Sequence, residues 1–223
     1  MALSAHDPMI IDDAGLWCHI GPAAFAGRPA LFLDRDGVIV VDSHYLGCVE
    51  DVRMIAGAAS AIARCNALGV PVVVVTNQSG IARGFYDWNA FHAVQGALSA
   101  ALASAGAHLD AVLACAYHGD GREPLRVAGH PWRKPNPGMI LAAAIRMNLD
   151  LSHSWIIGDK AHDVAAGNAA GLAGGTLVSA SDQERQAALS LASAGFIVET
   201  APNLADAVTW LIERGRLPDR ARS

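Results

Sequence analysis

Apolar and polar positions alternate along this chain in blocks that switch repeatedly between short unbroken apolar runs and stretches of helical period. Pro29 to Asp34 reads PALFLD, an apolar run that stops abruptly at charge and glycine, which predicts a buried strand meeting a loop. Ala59, Ile62, Ala63 and Leu68 then recur at helical spacing and are closed by Gly69, after which Val70 to Val75 is a β-branched run ending at Thr76. The alternation predicts helices over 89–104, 137–147, 161–170 and 203–214, and strands over 111–117, 154–158, 176–178 and 195–199. Pro137 stands in the first turn of its helix, where its missing N–H costs nothing. The first 28 residues read as polar and irregular.

Repeated strand–helix units predict an α/β fold, an open and mostly parallel Rossmann-like sheet with helices on both faces and ligands gathered at the carboxyl ends of its strands. The long insertions, 38–55 and 118–136, are too short to fold as an independent cap domain. The expected organisation is an N-terminal extension over 1–28 and one domain over 29–223.

Composition narrows the partners. A hydrophobic content of 52% is enough for a large core, and a net charge of −5 with no run of Lys or Arg leaves no electrostatic footprint for nucleic acid or an anionic membrane. A small molecule is the expected partner. Cys18, Cys48, Cys65 and Cys115 are scattered without a CxxC pair, which suits a reducing compartment, and the acidic N-terminus with Asp7, Asp12 and Asp13 shows neither a signal peptide nor a membrane span. A cytoplasmic monomer is expected. The 16 cationic residues include only two lysines, Lys134 and Lys160, placed where a compact point charge is useful.

Four strand ends carry the chemistry. Asp34-Arg35-Asp36-Gly37 places two carboxylates two residues apart, suited to one nucleophile and one proton carrier, although a turn with solvated acids would read the same. Thr76-Asn77-Gln78-Ser79-Gly80 gathers hydroxyl, amide and backbone donors suited to phosphoryl oxygens, or forms a polar turn. Arg133-Lys134-Pro135-Asn136-Pro137-Gly138 is a stiff loop able to present a fixed cation, and Gly158-Asp159-Lys160 followed by Asp163 supplies acids of the kind that bind Mg²⁺ rather than zinc.

In this order the four motifs resemble the haloacid dehalogenase (HAD) superfamily of phosphatases over about Pro29 to Leu172. The stretches DRDGVIVVDSHY, TNQSGIARGFY, RKPNPGM and GDKAHDVAAGNAAG narrow the resemblance to the uncapped branch that contains heptose bisphosphate phosphatases and histidinol-phosphate phosphatase domains. The resemblance implies Asp34 as nucleophile and Asp36 as general acid and base, with Thr76, the Asn77 backbone and Lys134 holding the transferring phosphoryl group. It implies Mg²⁺ on the Asp34 carboxylate, the Asp36 carbonyl and Asp159, with Asp163 orienting these groups from behind. Asp42, Ser43, His44, Tyr45, Gln78, Ser79, Arg133 and Lys160 are the implied substrate contacts.

Many relatives carry a zinc loop just before the Arg-Lys-Pro motif. Here its pairs become Cys115-Ala116-Tyr117-His118 and His130-Pro131-Trp132, so Cys115, His118 and His130 offer at most three ligands where structural zinc takes four. Zinc is not expected, and the loop should pack around Trp132 instead. Other histidines are expected on the surface or in loops, and Trp155 and Trp210 in the core. A sugar bisphosphatase, a phosphatase for histidinol phosphate or another small phosphomonoester, and a non-catalytic phospho-ligand module all fit these motifs; the presence of every chemical residue disfavours the last.

Overall fold

The computed structural model describes residues 9–12, 14–22, 25–179 and 181–217, so parts of the expected N-terminal extension, with Asp7 and Asp13, and the last six residues of the expected domain lie outside the described residues. Its strands are β1 (Met9–Ile10), β2 (Leu16–Ile20), β3 (Leu31–Leu33), β4 (Val72–Asn77), β5 (Ala111–Cys115), β6 (Trp155–Gly158), β7 (Gly174–Leu177) and β8 (Ile197–Thr200). Its helices are α1 (Ala58–Ala67), α2 (Ser79–Arg83), α3 (Trp88–Ser104), α4 (Gly138–Met147), α5 (Ala161–Ala169), α6 (Asp182–Leu189) and α7 (Leu204–Glu213). The strands form one sheet in the order β1-β2-β5-β4-β3-β6-β7-β8. Every pairing from β5 to β8 is parallel, and the two pairings that involve β2 are antiparallel.

Strand residues alternate between two cores, as a sheet covered on both faces requires. Leu31, Leu33, Val72, Val74, Trp155 and Ile157 face a core shared with α1, α3 and α7, while Phe32, Val73, Val75 and Ile156 face one shared with α4, α5 and α6. Trp155 is fully buried, and its indole N–H donates to Thr176 Oγ1 at 2.9 Å. Gly174 lies beneath that ring, where a Cβ would approach it to 2.4 Å, so the glycine makes room for the tryptophan. Trp210 packs at the edge of the same core.

Four elements depart from the sequence expectation, among them the short strand Met9–Ile10, which pairs antiparallel with β2. Leu16–Ile20, read as irregular, is a full strand antiparallel to β5, with Leu16, Trp17 and Cys18 buried. Asp12 fixes the approach to it: its Oδ1 accepts from the N–H groups of Gly15 and Leu16, and its Oδ2 accepts from the Tyr117 hydroxyl at 2.6 Å. The short helix α2 directly follows the Thr-Asn-Gln motif, and α6 is a polar helix in which only Ala188 is buried, capped by Ser181. Among the described residues, 34–57 and 116–137 hold no helix or strand beyond a 3-10 turn at Val49–Asp51, so no cap domain covers the strand ends.

Candidate active site

From β3 the chain builds outward first through β4 and β5, then returns to lay β6 on the other side of β3. The order reverses at β3 and β6, and their carboxyl ends open the crevice in which doubly wound sheets bind ligands. Asp34 follows β3 and Asp159 follows β6, so the reversal sets side by side two acids that lie far apart in sequence. Gly37 lets the chain turn away between them: its φ is +78°, and a Cβ there would lie 2.7 Å from Asp159 Cγ.

The floor of the crevice is a buried charge cluster. Lys134, 3% exposed, places Nζ 2.9 Å from Asp34 Oδ1, 2.7 Å from Asp163 Oδ1 and 2.7 Å from the Val75 carbonyl, to which it donates. Burial pushes the Asp34 carboxyl up to about 7, opposed by the Lys134 ammonium and reinforced by the carboxylates of Asp163 and Asp36. Burial also works against the Asp163 carboxylate, but Lys134 and His162 outweigh it and hold that group below its usual range. Lys134 loses by its own burial and gains more from its two acids, which raise it to about 12. The cluster therefore divides its acids into one held firmly ionised and one poised near neutrality.

Asp36 stands two residues further on and is held from behind. Gln78 Nε2 donates to its Oδ2 at 2.9 Å and to Thr76 Oγ1 at 2.8 Å, and the Tyr86 hydroxyl donates to Gln78 Oε1 at 2.5 Å. Asn77 acts elsewhere. Its side-chain amide exchanges two hydrogen bonds with the backbone of Lys134, at 3.0 and 3.1 Å, and so fixes the Arg-Lys-Pro loop to the end of β4.

Above this floor is a cleft of about 190 Å³ lined by Asp34, Asp36, Asp159 and a rim from three loops. Asp42, His44 and Tyr45 come from the loop after β3, Asn77 from the end of β4, Gln78 and Ser79 from the start of α2, and Arg133 and Lys160 from the far side. Lys160 Nζ lies 2.9 Å from Asp159 Oδ2, and Arg133 donates to the Tyr117 carbonyl. Most implied substrate contacts thus share one cavity. Of the residues implied to touch the substrate or its phosphoryl group, three do not line it: Ser43 is exposed outside it, and Thr76 and Lys134 are buried, the Thr76 hydroxyl accepting from Gln78 and the Lys134 ammonium surrounded by protein oxygens.

Sequence reading missed His162, Tyr86 and Arg35. His162, expected with the surface histidines, lines the cleft with Nε2 3.3 Å from Asp163 Oδ1. Its place in the first turn of α5, between Lys160 and Asp163, was the available signal.

Among the described residues the one group of acids, histidines or cysteines close enough to share an ion is Asp34, Asp159 and Asp163, whose oxygens lie within 4.8 Å of one another. An all-oxygen set at this spacing fits Mg²⁺. Both oxygens of Asp163 are already engaged, one by Lys134 and the other by the Lys160 backbone N–H at 3.0 Å, whereas Asp34 and Asp159 each meet a lysine through a single oxygen. Burial pushes the Asp159 carboxyl up, and its bond to Lys160 opposes this. In the loop from Cys115 to Trp132, Cys115 is buried at the end of β5, His118 Nδ1 accepts from the Asp120 N–H, and His130 stacks on Tyr117 at 4.2 Å. Trp132 packs against the core under α4.

Comparisons with known proteins agree with this geometry. The HAD-hydrolase-like family model matches residues 131–207. The D-glycero-beta-D-manno-heptose-1,7-bisphosphate 7-phosphatase of Mesorhizobium japonicum is 49% identical over 180 residues, covering 80% of this chain and 83% of that protein. The D-glycero-D-manno-heptose-1,7-bisphosphate 7-phosphatase of Thermosynechococcus vestitus is 42% identical over 188 residues, covering 82% of this chain and 95% of that protein. Among solved structures, a HAD-like phosphatase from Mesorhizobium loti superposes with a TM-score of 0.80 at 43% identity, over 92% of this chain and 96% of that one. The D,D-heptose 1,7-bisphosphate phosphatase of B. bronchiseptica, solved with magnesium and phosphate, gives a TM-score of 0.71 at 31% identity, over 83% and 99%. With identity running through most of both chains, and with paired aspartates, a buried lysine and a further acid pair at the strand ends, the chain belongs to the HAD-like phosphatases.

Proposed function

We propose that the chain removes the 7-phosphate of a D-glycero-D-manno-heptose 1,7-bisphosphate, acting as a monomer in the cytoplasm. The observation that carries the chemistry is Asp34 at the point of strand reversal, 2.9 Å from Lys134, with Asp36 two residues beyond it and Asp159 opposite. The substrate reading is supported by the names of the relatives and by the rim, where Arg133 and Lys160 add two cations beyond Lys134. The four free cysteines, three of them buried, suit a reducing compartment. Among the described residues no helix is long and apolar enough to cross a membrane.

In this reading an Asp34 carboxylate oxygen attacks phosphorus as the bond to the sugar oxygen breaks, and Asp36 gives that oxygen its proton. Asp36 then takes a proton from the water that attacks the aspartyl phosphate, which frees phosphate and restores Asp34. Mg²⁺, held by Asp34, the Asp36 carbonyl and Asp159, would supply positive charge against the phosphoryl oxygens. Lys134 keeps Asp34 and Asp163 in place, Asp163 secures the loop of Lys160, and the donors at the start of α2 face the phosphoryl group. Arg133 and Lys160 receive the distal phosphate.

Phosphate release is to be measured on heptose 1,7-bisphosphate, a sugar monophosphate and histidinol phosphate, with Mg²⁺ and with chelator. The highest kcat/KM on the bisphosphate, lost with chelator, is expected. A preference for histidinol phosphate would overturn the substrate, and no turnover of any phosphomonoester would overturn the enzyme reading.

A further inference from the structure

Arg35, between the two aspartates, has no part in the chemistry described above, yet its surroundings are unusual for an arginine. The residue is 0% exposed, and its guanidinium lies 5.1 Å from the centroid of the Phe91 ring. A charge buried this deeply is costly unless it is paired and hydrogen-bonded, and an apolar side chain would fill the same space without that desolvation. Its partners lie toward the cleft. Nε and Nη2 donate to Asp36 Oδ1 at 3.2 and 3.1 Å, and Nη2 also donates to Asp36 Oδ2 at 3.0 Å and to Gln78 Oε1 at 3.2 Å.

Gln78 completes the grip. Its Nε2 donates to the same Asp36 Oδ2, and its Oε1 receives both Arg35 and the Tyr86 hydroxyl. Asp36 is thus held on both oxygens by groups behind it, while its side chain keeps 23% exposure on the cleft side. The backbone is pinned too, because the Arg35 carbonyl accepts from the N–H groups of Ile39 and Val40. A proton carrier works only in a narrow range of orientation to the oxygen it serves, so a rigid fork behind it has kinetic value.

We propose that Arg35 is a positioning residue which, together with Gln78, fixes the Asp36 carboxyl in the orientation that delivers a proton to the leaving sugar oxygen. The inference rests on the reading of Asp36 as that proton donor. It separates from a general structural role through the leaving group. A sugar alkoxide must be protonated as it departs, whereas p-nitrophenolate leaves without help, so loss of Asp36 orientation slows the first substrate and spares the second. The relevant constant is kcat/KM, which reports the steps through transfer to Asp34 and is blind to later hydrolysis of the aspartyl phosphate.

The experiment compares kcat/KM for heptose 1,7-bisphosphate and p-nitrophenyl phosphate in the wild type, Arg35→Met, Arg35→Lys, Gln78→Met and Asp36→Asn, with thermal melts for each. Arg35→Met and Gln78→Met are expected to fall at least tenfold further on the sugar substrate than on the aryl one, in the pattern of Asp36→Asn. Arg35→Lys, with one point donor in place of a fork, should recover part of that difference. If Arg35→Met fails to fold, Gln78→Met, which removes one of the Asp36 donors, decides alone. Equal losses on both substrates, or none, beside a selective loss in Asp36→Asn would overturn the role of Arg35 and leave that of Asp36 standing. An Asp36→Asn variant with equal losses on both would overturn the proton-donor reading, and this inference with it.

Discussion

Replacing Lys134 by methionine keeps the length of the side chain and removes the charge that holds Asp34 and Asp163 together. The ammonium is 2.9 Å from one carboxylate and 2.7 Å from the other, and all three residues are buried. Removing one partner of a buried ion pair costs about 3–5 kcal/mol, because the remaining charge is left without compensation. At about 2–4 °C per kcal/mol for a chain of this size, the metal-free variant should melt roughly 6–20 °C below the wild type. The loss should depend on pH. Burial raises Asp34 from its ordinary 3.8 to about 7 in the folded chain, so its contribution is fully present below 3.8 and is lost as pH rises through 7. Without Lys134 its ionised form is still less favourable, so the variant's deficit should be larger at pH 8 than at pH 5, where Asp34 can keep a proton. Thermal melts of both proteins in chelator at these two pH values make the measurement. A deficit below about 2 °C, or one that grows toward acid, would refute the view that Lys134 exists to hold two buried acids.

Asp34→Asn preserves size but removes the proposed nucleophile, so kcat should fall by several orders of magnitude with the melting temperature maintained; more than a tenth of wild-type turnover would remove Asp34 from that role. Gly37→Ala meets Asp159 Cγ at 2.7 Å in a backbone with φ +78°, so it should raise the Mg²⁺ concentration needed for half-maximal activity at least tenfold, read by metal titration of the rate. Arg133→Ala should reduce the preference for bisphosphate over monophosphate about tenfold, mainly through KM on the bisphosphate; unchanged selectivity would take Arg133 away from the distal phosphate. Metal analysis of protein purified without chelator should find well under one zinc per chain, and a tightly held stoichiometric zinc would overturn the reading of the loop from Cys115 to Trp132.

What could be read from sequence was whatever lies in one short window. The runs that end at Asp34, Thr76 and Gly158 are buried on both faces, so their unbroken apolarity announced central strands and the acids at their ends announced the site. Edge elements give weaker signals. Leu16–Ile20 is a strand because β5 offers it an antiparallel edge, and no period within LWCHI distinguishes that from a loop. The helix α6 buries only Ala188, so it had no apolar stripe to display. Cleft residues supplied by geometry alone were also hidden. Tyr86 enters through its hydroxyl on Gln78, a contact that no motif of types and spacings records, whereas the place of His162 between Lys160 and Asp163 was the signal available for it.

The same distinction bears on Thr76 and Lys134, which the resemblance places at the phosphoryl group and whose polar atoms engage protein groups in the structure. A motif shows that a cation and a hydroxyl stand at strand ends, but whether they face the ligand or the protein depends on what else arrives there. Lys134 meets Asp34 from β3 and Asp163 from α5, and these become neighbours only because β6 is laid against β3 rather than beyond β5. Once two acids are brought that close in a dry floor, one cation is needed between them to keep both from taking protons, and Lys134 is the cation that the stiff loop, tied down by Asn77, delivers. The order of the strands therefore fixes the protonation chemistry of Asp34. Asp34 is left poised near neutrality by burial and by this single counter-charge, so a divalent cation arriving at Asp34 and Asp159 competes with a proton, and metal affinity should rise with pH up to about 7.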